Sequence, residues 1–280
     1  MADPPCHPAY GLLRPVTTYA SVLLADNPSP MTLDGTNTWI LRAPGSLHCV
    51  VVDPGPDDEV HLRRLAGHGP VTHVLLTHGH PDHAAGARRF AEMAGAPVHA
   101  VDPEHRLGSE GLSDGAVVAA AGLQIRVLAT PGHTSDSVCF LIDGDEGSGD
   151  EGSGDGGSSV LTGDTVLGRG STMVAHPDGR LGDYLASLRG LAELPPGVSV
   201  LPGHGPDLPD AGQAARAYLA HRADRLEQVR MARTALRSQW GREPAPREVV
   251  EIVYADVDPV LWPAADASVA AQLEYLRGYG

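Results

Sequence analysis

Residues 77–83 read THGHPDH. They follow the β-rich apolar run Val71–Leu76 and open a stretch patterned as a helix over Asp82–Ala94. Four side chains able to bind a divalent cation, His78, His80, Asp82 and His83, therefore leave one strand end together. Ligands two residues apart in extended backbone face the same side, and neutral imidazole with carboxylate suits zinc and related divalent ions. A chance cluster of surface histidines would not be expected at a strand–turn–helix junction.

Working outward, three more polar residues each end an apolar stretch beside glycine: His133 in ATPGHT, Asp164 in VLTGDT and His204 in VLPGHG. Taken singly, such a residue is more often a turn or capping residue. Around them strands are expected at Tyr19–Leu24, Thr38–Leu41, Cys49–Val52, Val98–Val101, Gln124–Leu128, Val138–Ile142, Val160–Leu161 and Val198–Leu201, from β-rich composition bounded by turn residues. Helices are expected over Asp58–Ala66, Asp183–Leu194 and Gln213–Trp240, with Pro246–Tyr254 and Ala267–Leu276 closing the chain. Strand–helix alternation implies an α/β layered core.

The ordered set HxHxDH, then His, Asp and His, is the metal-binding signature of the metallo-β-lactamase superfamily, which the chain resembles. NPSPMTLDGTNTWIL (Asn27–Leu41), VVDPG (Val51–Gly55), TPGHTSDS (Thr130–Ser137), TGDTVLGRGST (Thr162–Thr172), LPGHGP (Leu201–Pro206) and YLAHRADRLEQ (Tyr218–Gln228) are similar to the beta-lactamase-like protein 2 family within it. PREVVEIVYADVDPVLWPAA (Pro246–Ala265) resembles that family's C-terminal module. The resemblance implies a four-layer αββα sandwich over residues 1–212 and a small helical, winged-helix-like module over 213–280. It implies two divalent metal ions, zinc by preference: His78, His80 and His133 on the first, Asp82, His83 and His204 on the second, Asp164 bridging. Asp82 and Asp164 become the catalytic carboxylates, and Asn37, Ser171, Thr172 and His176 fall near the mouth. Asp53, ending the VVVD strand, is a candidate acceptor for a ligand imidazole N–H, with a structural turn role as the alternative.

True β-lactamases of this family commonly carry Cys in the second site and lack the His after the motif Asp, so β-lactam hydrolysis is not expected. A water held between two cations loses its proton near neutral pH and attacks a carbonyl or phosphoryl centre. Hydrolysis of an ester, thioester or related small substrate is the leading reading. Single-strand-selective endoribonuclease activity is the alternative, with iron-dependent persulfide oxygenase and a metal-free scaffold behind it. For RNA, the Gln213–Trp240 helix carries six arginines against two acids. Leu226, Val229, Leu236 and Trp240 share their half of the helix, leaving no clean basic face. His221 and Arg222 are candidates to reach the site from it.

Composition sets outer limits. Of 280 residues, 35 are acidic and 20 basic, a net charge of −15, and every basic residue is Arg. So acidic a chain disfavours tight nonspecific nucleic-acid binding. The three cysteines, Cys6, Cys49 and Cys139, form no CxxC pair, which argues against thiolate zinc sites and a disulfide framework. The proline-rich start has no signal-peptide pattern and no apolar run is long enough to span a membrane, so a cytoplasmic location is expected. Residues 144–159, built only of Gly, Ser, Asp and Glu, are expected to be a disordered insertion.

Overall fold

In the computed structural model, which describes residues 7–144 and 157–278, period-two alternation assembles two sheets. The first runs in the order β1 (Leu13–Pro15), β2 (Ala20–Leu24), β3 (Asn37–Leu41), β4 (Cys49–Val52), β5 (Val71–Leu75), β6 (Val98–His99). The second runs β11 (Ser199–Pro202), β10 (Ser159–Gly163), β9 (Val138–Ile142), β8 (Leu123–Ala129), β7 (Val117–Ala120). Alternate residues of each strand supply two different cores. Trp39, Leu41, Val50, Val52 and Leu75 meet Ile125, Val127, Phe140 and Leu161 between the sheets. Their neighbours Ile40, Val51 and Val74 face outward onto α1 (Glu59–Ala66) and α3 (Ala87–Ala94), burying Leu62, Leu65 and Phe90. Cys139, Val160 and Val200 face α4 (Leu181–Ala192) and α5 (Ala211–Trp240) on the other side. Two inner faces interdigitating with helices outside give the expected αββα sandwich.

The helix expected over Asp82–Ala94 is broken into α2 (Pro81–Ala84) and α3, and the reason is a close backbone crossing. The N–H of Gly55 donates to His83 O (3.0 Å) and that of Gly86 to Gly55 O (2.9 Å). A Cβ on Gly86 would stand 2.7 Å from Pro56 O, so only glycine admits this crossing. The strand expected over Val98–Val101 stops at His99, because Ala100 O accepts from Leu112 N–H (3.1 Å) and Arg106 Nε–H (3.0 Å) instead of a strand neighbour. Strands β1 and β7 were not expected: Pro15 interrupts one, and the other, VVAA, is a half-exposed edge.

Strands β9 and β10 pair antiparallel with Ser159 opposite Ile142. Of the stretch expected to lack structure, 145–156 lies outside the described residues. Ser159 is instead a buried strand residue, bonded to the Tyr19 hydroxyl (2.8 Å) and the Ser199 hydroxyl (2.7 Å).

Helix α5 spans two cores. Ala211, Ala215 and Tyr218 pack in the sandwich with α4, whereas Val229, Ala232 and Leu236 pack with Val249 and Val250 of α6 (Pro246–Val253) and Val269 and Leu273 of α7 (Trp262–Gly278). No described helix is long and apolar enough to cross a membrane.

His61 is buried in α1, its Nε2 2.9 Å from the Thr38 hydroxyl, and burial pushes its pKa down to about 4. The folded imidazole stays neutral while the unfolded one takes up a proton below about 6.5. Stability is therefore lost as pH falls from about 6.5 towards 4, by on the order of 3 kcal/mol from this residue. Thermal melts of metal-free protein at pH 7 and pH 5 should show a smaller drop for His61→Gln than for the wild type. An equal drop would assign the acid sensitivity elsewhere.

Candidate metal centre

Strands β5, β8, β10 and β11 all end at one edge of the sandwich, and each delivers a ligand-type side chain just beyond its last residue: the 78–83 cluster, His133, Asp164 and His204. The seven residues converge as three overlapping groups whose ligand atoms lie within 4.8 Å of one another: His78, His80, His133; Asp82, His83, His204; and His78, His83, Asp164. In the first group His80 Nδ1 stands 3.1 Å from His78 Nε2 and 3.0 Å from His133 Nε2. In the second, His204 Nε2 stands 3.2 Å from His83 Nε2 and 3.1 Å from Asp82 Oδ2. Asp164 lies between them, Oδ1 3.3 Å from His83 and 3.4 Å from His204, Oδ2 3.7 Å from His133.

These separations test whether a metal fits. Ligands at about 2.0–2.1 Å from a tetrahedral zinc stand roughly 3.3 Å from each other. The far nitrogens of four imidazoles are already committed, that of His78 to the Thr77 hydroxyl (3.0 Å). His83 Nδ1–H donates to Asp53 Oδ2 (2.8 Å), His204 Nδ1–H to Gly35 O (3.0 Å) and His133 Nδ1–H to Met173 O (2.8 Å). Each ring, when neutral, then turns a lone pair inward. Lone pairs facing one another at about 3 Å repel unless a proton or a cation lies between them, and Asp164 Oδ1 is buried without a hydrogen-bond donor. A divalent cation in each group satisfies both conditions.

The electrostatics point the same way. Burial drives the His78 and His133 imidazoles below their ordinary range, so they are neutral, the form that binds metal. Burial also opposes charge on His204 and His83. The Asp164 carboxylate and the bonds to Asp82 and Asp53 outweigh it, holding His204 at about 9 and His83 well above the usual value. Despite its burial, Asp164 is held well below the carboxylate range by His204 and His83. Carboxylates that raise two buried histidines favour positive charge in this volume, which a cation also supplies.

Asp53 fixes this geometry. It is 1% exposed and sits at φ 51°, a left-handed conformation that non-glycine residues rarely adopt. From there Oδ1 accepts Thr77 N–H (2.8 Å) while Oδ2 accepts Thr77 Oγ1–H (2.6 Å) and His83 Nδ1–H. One carboxylate thus hydrogen-bonds an imidazole and clamps the start of the motif loop. Gly203 completes the enclosure, since a Cβ there would stand 2.7 Å from both Asp164 Oδ1 and His83 Cε1.

The residues expected near the mouth divide. Asn37 uses its amide to hold Pro202 O (3.0 Å) and Gly205 O (2.8 Å), fastening β3 to the His204 loop. His176 bonds Glu274 of α7 (2.8 Å). Ser171, Thr172, His221 and Arg222 do line a cleft of about 310 Å³ that reaches His133 and Asp164. Thr172 Oγ1 lies 3.2 Å from His133 Nδ1, and Thr172 O accepts from Arg222. The sequence reading missed Met31, Leu33, Leu167, Arg225, Tyr254 and Leu261 on the same cleft. Only the TLDGTN and TVLGRG motif loops hinted at their neighbourhood. Cys49 and Cys139 are buried free thiols, the latter pushed by burial up to about 11, well away from reactivity.

Comparison with known proteins agrees with this architecture. The sequence profile of the metallo-beta-lactamase superfamily matches residues 31–147, and that of the beta-lactamase associated winged helix domain matches residues 245–278. The atrochrysone carboxyl ACP thioesterase of Aspergillus fumigatus is 31% identical over 220 residues, covering 75% of this chain and 63% of that protein. The chain thus spans about 63% of the length of the first curated relatives it matches, others of which are called lactamase-like proteins. Among solved structures, a metallo-beta-lactamase family protein of Thermus thermophilus superposes with a TM-score of 0.70 at 25% identity, covering 93% of this chain and 94% of that one. TTHA1623 in a di-iron-bound form gives a TM-score of 0.51 at 26% identity, over 70% and 98% of the two chains.

Two substitutions separate the groups. Asp53→Asn removes the anion that His83 touches directly, whereas it has no contact with His80 or His133 and meets His78 only through the Thr77 hydroxyl. Metal titration should show the Asp82, His83, His204 group weakened by about 10–100-fold and the other retained; equal loss at both would mean Asp53 acts only on folding. Asp164→Asn keeps the shape and removes a charge from between the two ligand groups, where two bound cations would repel strongly. Zinc titration should then resolve one tight and one weak site, and two tight sites would exclude a bridging role.

Proposed function

Because the chain carries a metallo-beta-lactamase superfamily domain joined to an associated winged-helix module, we propose that it is a metal-dependent hydrolase of small acyl esters, thioesters foremost. One observation carries the reading. The cleft that ends on His133 and Asp164 is walled by apolar side chains, Met31, Leu33 and Leu167 from the sandwich and Val257 and Leu261 from the C-terminal module. Such a cleft suits an acyl chain lying along it with its carbonyl at the cluster. A relative named as a thioesterase supports the substrate class.

Divalent cations held by the two groups would acidify water and neutralise negative charge developing on the carbonyl oxygen. The chain's own residues do the rest. Asp82 has 28% of its side chain exposed and one oxygen committed to His204, so it is placed to orient the entering water. Buried His83, His204 and His133 are held rigid by Asp53, Gly35 O and Met173 O, so no reorganisation is needed when charge develops. Zinc suits the nitrogen-rich set. Iron remains the alternative, given the di-iron-bound relative.

The endoribonuclease reading is weakened by α5. Arg230 pairs with Glu227 (2.6 Å), Arg233 and Arg237 with Glu243 (2.9 and 3.0 Å), and Arg216 with Ala192 O (2.9 Å). Four of the six arginines on the helix are thus engaged by partners within the chain.

The test is hydrolysis of short- and medium-chain acyl thioesters by the full chain, followed by thiol release, beside simple esters, a lactone and single-stranded RNA. Thioester cleavage that is abolished by a chelator and restored by about two equivalents of zinc is expected. Cleavage of RNA alone would overturn the proposal, and restoration by iron alone would reassign the metal.

A further inference from the structure

Arg222 is the one buried arginine among the described residues, 5% exposed. Its guanidinium lies over the Tyr184 ring (5.1 Å) and donates to Thr172 O, its Nε is buried without a partner, and no carboxylate among the described residues pairs with it. Its charge is thus left uncompensated in the wall of the cleft. One turn along α5, Arg225 lies over Tyr254 (4.4 Å) and donates to Gln228 Oε1 (2.9 Å) and Val253 O (2.8 Å), again without a carboxylate. His221 lines the same wall. Arg169, also on the cleft, is neutralised by Asp34 at 2.6 Å. In a chain of net charge −15, unpaired cations beside an apolar wall need a separate explanation, since desolvating a charge without an anion is unfavourable.

Resting on the acyl-ester reading above, we infer that Arg222 and Arg225 form an anion cradle, so that the preferred substrate carries a carboxylate or phosphate in addition to the scissile ester. Arg222 contributes field from within the wall, and Arg225, half-buried at the surface of the cleft, contributes the donors that touch the anion. A planar guanidinium fits either oxyacid. The anion has two possible sources, the far end of the acyl chain or a phosphate on the thiol carrier, and matched ligands distinguish them.

The experiment is calorimetric binding to the full chain as purified, with non-hydrolysable pairs. One pair is hexanoic acid N-ethylamide against the N-ethyl monoamide of adipic acid. The other is a hexyl thioether of pantetheine without and with the 4′-phosphate. The charged member of at least one pair should bind on the order of tenfold tighter, as a charge-assisted bidentate contact gives, and which pair responds names the source. Arg225→Gln should erase that difference, Arg225→Lys should restore part of it, and Arg126→Gln, on an exposed pair with Asp143, should leave it intact. Charged and neutral ligands binding alike, or Arg225→Gln keeping the preference, would overturn the cradle. Because binding is read without turnover, thioesters that bind by charge and are not cleaved would instead sink the hydrolase reading and leave the cradle standing.

Discussion

Imidazoles and two carboxylates forced into one largely buried volume form the constraint on which the rest of the molecule turns. Rings approach to about 3 Å with lone pairs inward, an arrangement that repels unless each group encloses a cation. Holding it requires stiffness on every side. The carbonyl or carboxylate acceptor behind His83, His204 and His133 supplies part of that stiffness, and strands of two sheets ending at one edge supply the remainder. The left-handed backbone at Asp53 and the glycine at 203 are local features that this packing imposes.

The same stiffness reaches the C-terminal module by a short physical chain. His133 touches Thr172, Thr172 O accepts from Arg222, and Arg222 sits on α5, whose further half belongs to the core of α6 and α7. The loop before α4 is tied there too, through His176 and Arg180 to Glu274. Helix α5 is therefore a rigid strut rather than a linker. It sets the width of the cleft whose floor the sandwich makes, and the module contributes to the site although it supplies none of the seven ligand-type residues.

Legibility of these features in the sequence follows the range of the interaction. The THGHPDH loop, the VLTGDT and VLPGHG strand ends and the alternating strands are written in contiguous residues, so the sandwich and the cluster could be placed from them. Asp53 was legible because its strand, VVVD, ends beside the motif strand, but its backbone conformation was not. The Gly86 break depends on the distant Gly55 crossing it, and periodicity alone ran one helix through it. Asn37 and His176 looked like mouth residues because polar side chains in Gly-rich loops look alike. Their partners, Pro202 O and Glu274, exist only after folding. Arg225 was invisible for the opposite reason: among six arginines on one helix, nothing local marks the two that line the cleft.

Chemistry and selectivity consequently sit on different parts of the chain. The cluster is built from strand ends that the core fixes, and any change there disturbs several ligands together. The cleft beyond it is lined by loops 30–33 and 167–173 and by the face of α5 and the helices after it. A change of Leu261 or Tyr254 alters the space and charge offered to a substrate without moving Asp164, because no hydrogen bond joins them to the cluster among the described residues. Under the hydrolase proposal, substrate choice follows from how the appended helices cover the cluster, and the seven ligand-type residues alone say little about it.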